Sequence, residues 1–183
     1  MNIRKLLLIL AIFFWACNSN HAESTEEDSS LIAKDTSKFN IPKPLGFVSD
    51  FSNVFNHEEI KILDSVIVAF GKRTTNQIAI VTIPLEMVSV DSFDVFTLKM
   101  GNEWGVGQKE KNNGILIGLG FDHRYIRIQN GFGIEKILSD SDTKIIIDNE
   151  FLPYFKTRDY FNGTLNGVKA LIRKLDTLQG NIK

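Results

Sequence analysis

Two stretches, QIAIVTIP from Gln77 to Pro84 and GILIGLGF from Gly114 to Phe121, are apolar on both faces, and this limits the possible folds more than any other feature of the chain. A strand on an open antiparallel sheet alternates apolar with polar residues, whereas one covered on both sides reads as a continuous apolar run. Both stretches are therefore expected as buried strands. Between them Asp91 can cap a helix over 91–104, in which Phe93, Phe96, Met100 and Trp104 recur at spacings of three and four. A right-handed crossover through that helix makes the two strands parallel.

The stretch RYIRIQN, Arg124 to Asn130, follows a turn at Asp122-His123 and alternates Tyr125, Arg127 and Gln129 with Ile126 and Ile128. It is expected antiparallel to its neighbour and closer to an edge. Asn56 with Glu59 forms a capping-box pattern ahead of Ile60, Leu63, Ile67 and Phe70, which predicts a helix over 58–72. Two more helices are expected: 140–152, capped by Asp140 and stopped by Pro153, and 161–178 with Leu165, Val168, Ile172 and Leu175 inward. The whole is α/β, a three-layer α/β/α sandwich around a mixed, mainly parallel sheet. Phe93, Phe96 and Trp104 are read as packing residues.

Upstream, Arg4 and Lys5 precede an unbroken apolar run of eleven residues, Leu6 to Ala16. That is signal-peptide length, well short of the ~20 residues a spanning helix needs. The run ends at Cys17, the one cysteine of the chain, and Phe14-Trp15-Ala16-Cys17 resembles a bacterial lipobox. Residues 1–16 are expected to be removed and Cys17 to carry acyl chains, each methylene adding ~0.8 kcal/mol of anchoring. The bland alternatives are an ordinary secretory signal or a buried thiol. Residues 17–44, rich in Ser, Thr, Glu, Asp and Lys, read as a disordered tether from the lipidated cysteine, with the folded domain over 45–183. Such a tether has an r.m.s. reach of roughly 30 Å.

Removing Arg4 and Lys5 from the 21 basic residues leaves 19 against 22 acidic ones. This balance lacks the basic footprint of a nucleic-acid binder. A lone cysteine excludes a disulfide within the chain, and His21, His57 and His123 lack zinc-ligand spacing. No P-loop, GxSxG elbow or complete dinucleotide fingerprint is present.

The segments GFVSDFSNVFNHEE, QIAIVTI, EWGVG, KNNGILIGLG, FDHRYIRIQNGFGIE and FLPYFKTRDYFNG, in this order, resemble the TPM domain family over roughly residues 46–175. The series Trp-Gly-x-Gly, Asn-Gly, Asp-x-Arg and Gly-x-Gly-x-Glu carries the resemblance. It implies an extracytoplasmic, membrane-associated α/β/α module. Some members bind calcium, a thylakoid-lumen relative has been called an acid phosphatase, and animal relatives act as auxiliary partners of a receptor. Many members carry a transmembrane segment or Gly-rich tail after the domain. This sequence ends at Gly180-Asn181-Ile182-Lys183 without either, so the anchor is expected at the N-terminus, placing the protein at the extracytoplasmic face of the cell envelope, periplasmic or outer-membrane associated.

Ligands of open α/β sheets favour the carboxyl ends of parallel strands. That edge is expected to carry Leu85, Glu86, Asp122, His123 and Arg124. Asp50 and Asp122 match acidic positions of the family pattern, and such hard oxygen donors suit calcium first and magnesium second. Against this, Asp122 can simply make the hairpin turn and pair with Arg124, and Asp50 can form an Asx-type turn. Glu135 and Asp140 form a second acidic group. The seven-residue strand between Asp122 and Glu135 spans roughly 20 Å, so those two cannot share one ion. Gly131 and Gly133 can form an anion nest, although glycine after a strand more often permits positive φ. Asn112-Asn113-Gly114 is read as a turn, with carbonyl ligands near Glu135 as the lesser alternative.

Two functions stay open. One is a noncatalytic, lipid-anchored module that binds calcium and steadies a membrane-protein partner. The other is a divalent-metal-dependent phosphatase acting on phosphate monoesters, with Asp50 and Asp122 holding the ion and Arg124 offsetting charge.

Overall fold

A computed structural model describes residues 38–180 of the chain. The stretch read as a signal peptide, 1–16, Cys17 and the expected tether up to residue 37 lie outside the described residues. Among the described residues no helix is long and apolar enough to cross a membrane.

The four-stranded sheet has the order β1 (Val48–Asp50), β2 (Gln77–Thr82), β3 (Gly114–Gly120), β4 (Tyr125–Asn130). β1 and β3 run parallel to β2, with Val48 beside Ile80 and Ile80 beside Ile117, and β4 returns antiparallel to β3. Alternation along the strands divides the core into two layers. Ile78, Ile80, Ile115, Ile117 and Leu119 face one side, where α1 (His57–Thr74) supplies Leu63, Ile67 and Phe70. The long C-terminal helix Tyr160–Leu178 adds Val168, Leu171 and Leu175 to the same layer. Ala79, Val81 and Leu116 face the other side and meet Phe93, Phe96 and Met100 of α2 (Phe93–Trp104). Both faces of the sheet are thus covered, as the two apolar runs require.

On β3 Gly118 and Gly120 face α2. A Cβ on Gly118 would stand 2.6 Å from Thr97 Cγ2, and one on Gly120 2.7 Å from the Phe93 ring. Helix and sheet therefore meet closer than any side chain allows. The edge strand β4 is tied to the same helix by Gln129, whose Nε2 donates to Asp94 O and Thr97 Oγ1, each at 3.0 Å.

The Asn56 capping box forms in full: Asn56 Oδ1 accepts from Glu58 and Glu59 N–H, and Asn56 N–H donates to Glu59 Oε2 at 2.8 Å. Other local expectations change. Asp91 lies in a short 3₁₀ turn, Val90–Ser92, rather than capping α2, which starts at Phe93 without a side-chain cap. Ser139, not Asp140, caps the next helix by accepting from Asp142 N–H, so Asp140 is its first residue. Pro153 does not stop that helix. After α3 (Phe132–Glu135), α4 (Asp140–Ile146) widens into a π turn, Ile147–Phe151, and continues as α5 (Leu152–Lys156) with Pro153 in its first turn. There the missing N–H of proline costs no helical bond. Helix α6 is Tyr160–Leu178.

The packed chain also starts before Leu45. Within the stretch expected as tether, Phe39 meets Phe96 edge-on at 5.3 Å, Lys99 Nζ donates to Phe39 O at 2.9 Å, and Trp104 Nε1 donates to Pro42 O at 2.7 Å. Large side chains at Phe39 and Ile41 let an otherwise polar segment bury apolar surface on α2.

Candidate functional site

The carboxyl edge of the parallel strands carries Asp50, beside Thr82 in the sheet register, and Thr82 in turn lies beside Leu119. Asp50 is buried. Its Oδ1 accepts from Thr82 Oγ1 at 2.6 Å and from Val54 N–H at 3.2 Å, and its Oδ2 from Phe55 N–H at 2.8 Å. Thr82 Oγ1 accepts in turn from Ser52 N–H at 2.9 Å. The carboxylate thus closes the 51–56 loop that delivers Asn56 to its cap. A cation would have to displace one of these donors to gain both oxygens.

Asp122 and Arg124 are exposed in the turn joining β3 to β4. The turn is closed by backbone, Arg124 N–H to Phe121 O at 3.1 Å, with Arg124 left-handed at φ 53°. No ion pair joins Asp122 to Arg124 among the described residues. His123 between them is buried. Its Nε2 lies 2.7 Å from Val88 O, which can only accept, so Nε2 carries the proton. The ring stands edge-on to Phe93 at 5.0 Å, and its buried Nδ1 has no partner among the described residues. His123 pins the 84–92 loop to the sheet, a role its lack of ligand spacing gave no sign of.

Glu135 and Asp140 lie exposed near the opposite, amino edge, where Asn130 pairs with Ile115. The structure therefore holds the four acidic candidates as two separated groups. Among the described residues no three His, Cys, Asp or Glu side chains are placed to hold one metal ion.

At the amino edge the motif glycines make backbone crossings. Gly107, at φ 102°, has no room for a Cβ, which would fall 2.4 Å from Gly114 N, and a Cβ on Gly114 would fall 1.9 Å from Val106 O. Cβ atoms on Gly131 and Gly133 would meet Asn112 O at 2.3 Å and Lys111 O at 2.0 Å. Neither Gly131 nor Gly133 adopts positive φ; close approach is what demands glycine there. Their amides are spent on Gly114 O at 2.8 Å and Asn112 O at 2.9 Å, so they form no anion nest. Asn113 is a clamp rather than a ligand: Oδ1 accepts from Gln108 N–H at 2.8 Å and Nδ2 donates to Thr75 O at 2.9 Å.

An open concavity lies at this amino edge too. A mainly apolar cavity of about 340 Å³ lies between the lead into β1, with Leu45 and Phe47, the start of β2 at Gln77, and the end of α2 at Trp104 and Val106. Trp104 is thus half-buried and forms a cavity wall, where the periodicity of α2 placed it in the core. Two ionisable groups away from the candidate residues, one carboxyl and one phenol, feel their surroundings. Burial raises the Asp64 carboxyl above the ordinary range, opposed by the Val48 N–H it accepts. Burial and then Asp94 raise the Tyr125 phenol, and Arg127 lies 3.6 Å from Asp94 Oδ2.

With this geometry in view, comparison with known proteins is specific. The family model of the TPM domain matches residues 48–174. No curated protein matches the chain. Among solved structures, the N-terminal domain of a protein from P. gingivalis is similar at 27% identity and a TM-score of 0.65, over 76% of this chain and 94% of that one. The BA42 protein from the psychrophilic bacterium Bizionia argentinensis is similar in fold at 24% identity and a TM-score of 0.55, over 70% and 86%. The N-terminal domain of the cg2496 protein from Corynebacterium glutamicum shares the fold at 16% identity and a TM-score of 0.53, over 75% and 87%.

Proposed function

Because this chain belongs to the TPM domain family, we propose that it works as a noncatalytic module, held by lipid on Cys17 at the extracytoplasmic face of the cell envelope, that steadies a membrane-protein partner and binds calcium. The observation that carries this choice is Asp50. A metal-dependent phosphatase built on Asp50 and Asp122 needs both carboxylates for the ion, and Asp50 is taken by Thr82 and the amides of Val54 and Phe55. The carboxylate serves the loop.

The same fact limits the calcium site. Calcium takes six to eight oxygens, and the residues as placed do not make a closed cage of that size, since Glu135 and Asp140 lie at the other end of β4. In this reading the ion is a water-rich ligand of the exposed Asp122 turn. Calcium titration of the full chain followed by amide NMR is expected to shift residues 121–124. No shift at millimolar calcium removes the ion from this proposal. Assay of a phosphate monoester with added calcium, magnesium or manganese is expected to show no turnover that Asp122→Asn abolishes; finding such turnover would reinstate the phosphatase.

A further inference from the structure

The two most exposed large apolar side chains of the described residues, Phe132 and Leu45, stand at one end of the sheet, together with Phe47. Phe132 is 73% exposed, Leu45 70% and Phe47 47%. Leu45 and Phe47 flank the apolar cavity with Trp104. Phe132 sits between Gly131 and Gly133, whose amides bond Gly114 O and Asn112 O at the start of β3. Leu178, 42% exposed, ends the helix whose next residue, Gln179, bonds Asn76 just ahead of β2. Single exposed apolar residues need no explanation, but a group beside an apolar concavity marks a contact surface.

From these placements we infer that the amino edge of the sheet is a membrane-docking face, which lays Leu45, Phe47 and Phe132 into the headgroup boundary of an anionic bilayer. Charge distinguishes this end from the other. Exposed Lys43, Lys109, Lys111 and Lys136 lie in the segments that carry the apolar group, with Glu103, Glu110 and Glu135 as acidic members of those segments, whereas exposed Leu85 and Val90 at the carboxyl edge share it with Glu86, Asp91 and Asp122 against Arg124. Lysines beside inserted aromatic and aliphatic side chains suit an anionic surface. Chain length agrees. Residues 18–37, even fully extended, span at most ~70 Å, and as a tether they reach ~25 Å, so a lipid on Cys17 would keep the domain within reach of the bilayer. The inference rests on the reading that the chain works at a membrane surface. It adds which surface faces the lipid.

The test is hydrogen exchange on the full-length chain as isolated from cells, with and without vesicles of phosphatidylglycerol and phosphatidylethanolamine. Slowing of about threefold or more is expected in 43–47, 104–111 and 131–136. The double variant Leu45→Ser, Phe132→Ser should lose that protection while melting normally. In a Cys17→Ser background, where binding is free of the acyl chains, it should weaken vesicle association by about tenfold. Slowing at 50–56 and 121–124 instead, or none anywhere, overturns the docking face. So does slowing that needs no vesicles and rises with protein concentration, which makes the occupant a second copy. The mass of the Cys17 peptide reads the anchor independently: an unmodified cysteine removes the lipid tail, while the exchange map still decides the face.

Discussion

At Asp50 one side chain answers to two descriptions, an acidic family position and the hub of a loop. Its three accepted hydrogen bonds decide for the hub. Asp50→Asn keeps the shape but sets an NH₂ against donors, which should cost about 1.5–3 kcal/mol and speed amide exchange in 51–56. Urea unfolding measures the first, and a cost below a few tenths would show the hub to be dispensable. Asp64 gives a pH signature. Burial raises its carboxyl above the reference 3.8, so the fold favours the neutral form. Its contribution is fully present below that value and lost as pH rises through the folded one. Asp64→Asn stays neutral throughout, so its melting temperature relative to the parent should climb between about pH 3 and pH 7. A flat difference would falsify the burial account. Neither behaviour is legible in the sequence, because acceptor counts and burial depend on residues such as Thr82 and Val48 that only folding brings near.

At the scale of elements the apolar runs and the helical spacing located β2, β3, α1, α2 and α6 to within a few residues. They failed where two segments negotiate a shared contact. The helix after Ser139 continues through Pro153 because Phe151, wholly buried, lies over Gly167, where a Cβ would fall 2.0 Å from its ring. Extra backbone in the π turn sets that side chain against α6. Pro153→Ala should therefore change stability by less than about 1 kcal/mol, whereas Gly167→Ala, which strikes the Phe151 ring, should cost about 1–3 kcal/mol. Thermal unfolding of the pair checks this order; a reversal would return Pro153 to the role of a stop. The glycines at 131 and 133 teach the same lesson. Their motif marks a constrained backbone, but whether the constraint is a left-handed turn or a crossing depends on where Lys111 and Asn112 pass.

For the whole molecule, the boundary between tether and domain is set by what α2 leaves uncovered. Phe39 and Ile41 pack against the apolar cluster that α2 shares with the sheet, Phe39 edge-on to Phe96. A chain beginning at residue 45 should be less stable than one beginning at 37 by about 2–3 kcal/mol, from lost burial of two large apolar side chains. Equal midpoints in denaturant would mean that the lead rests on the surface without contributing. The search for a ligand site shifts in the same way. The strand topology points to the carboxyl edge, yet a cavity opens at the amino edge, between the lead into β1, the start of β2 and the end of α2.

The sequence by itself determined the layers. Apolar runs on both faces of two strands can be satisfied only by helices on both sides, and a crossover between them forces the strands parallel, so the sandwich follows from hydrophobic burial and chain handedness alone. The tertiary structure decided the use of each polar and glycine position. Whether a carboxylate is a ligand or a loop hub, and whether a glycine frees φ or makes room, depends on neighbours distant in the chain, and local patterning carries no record of those distances.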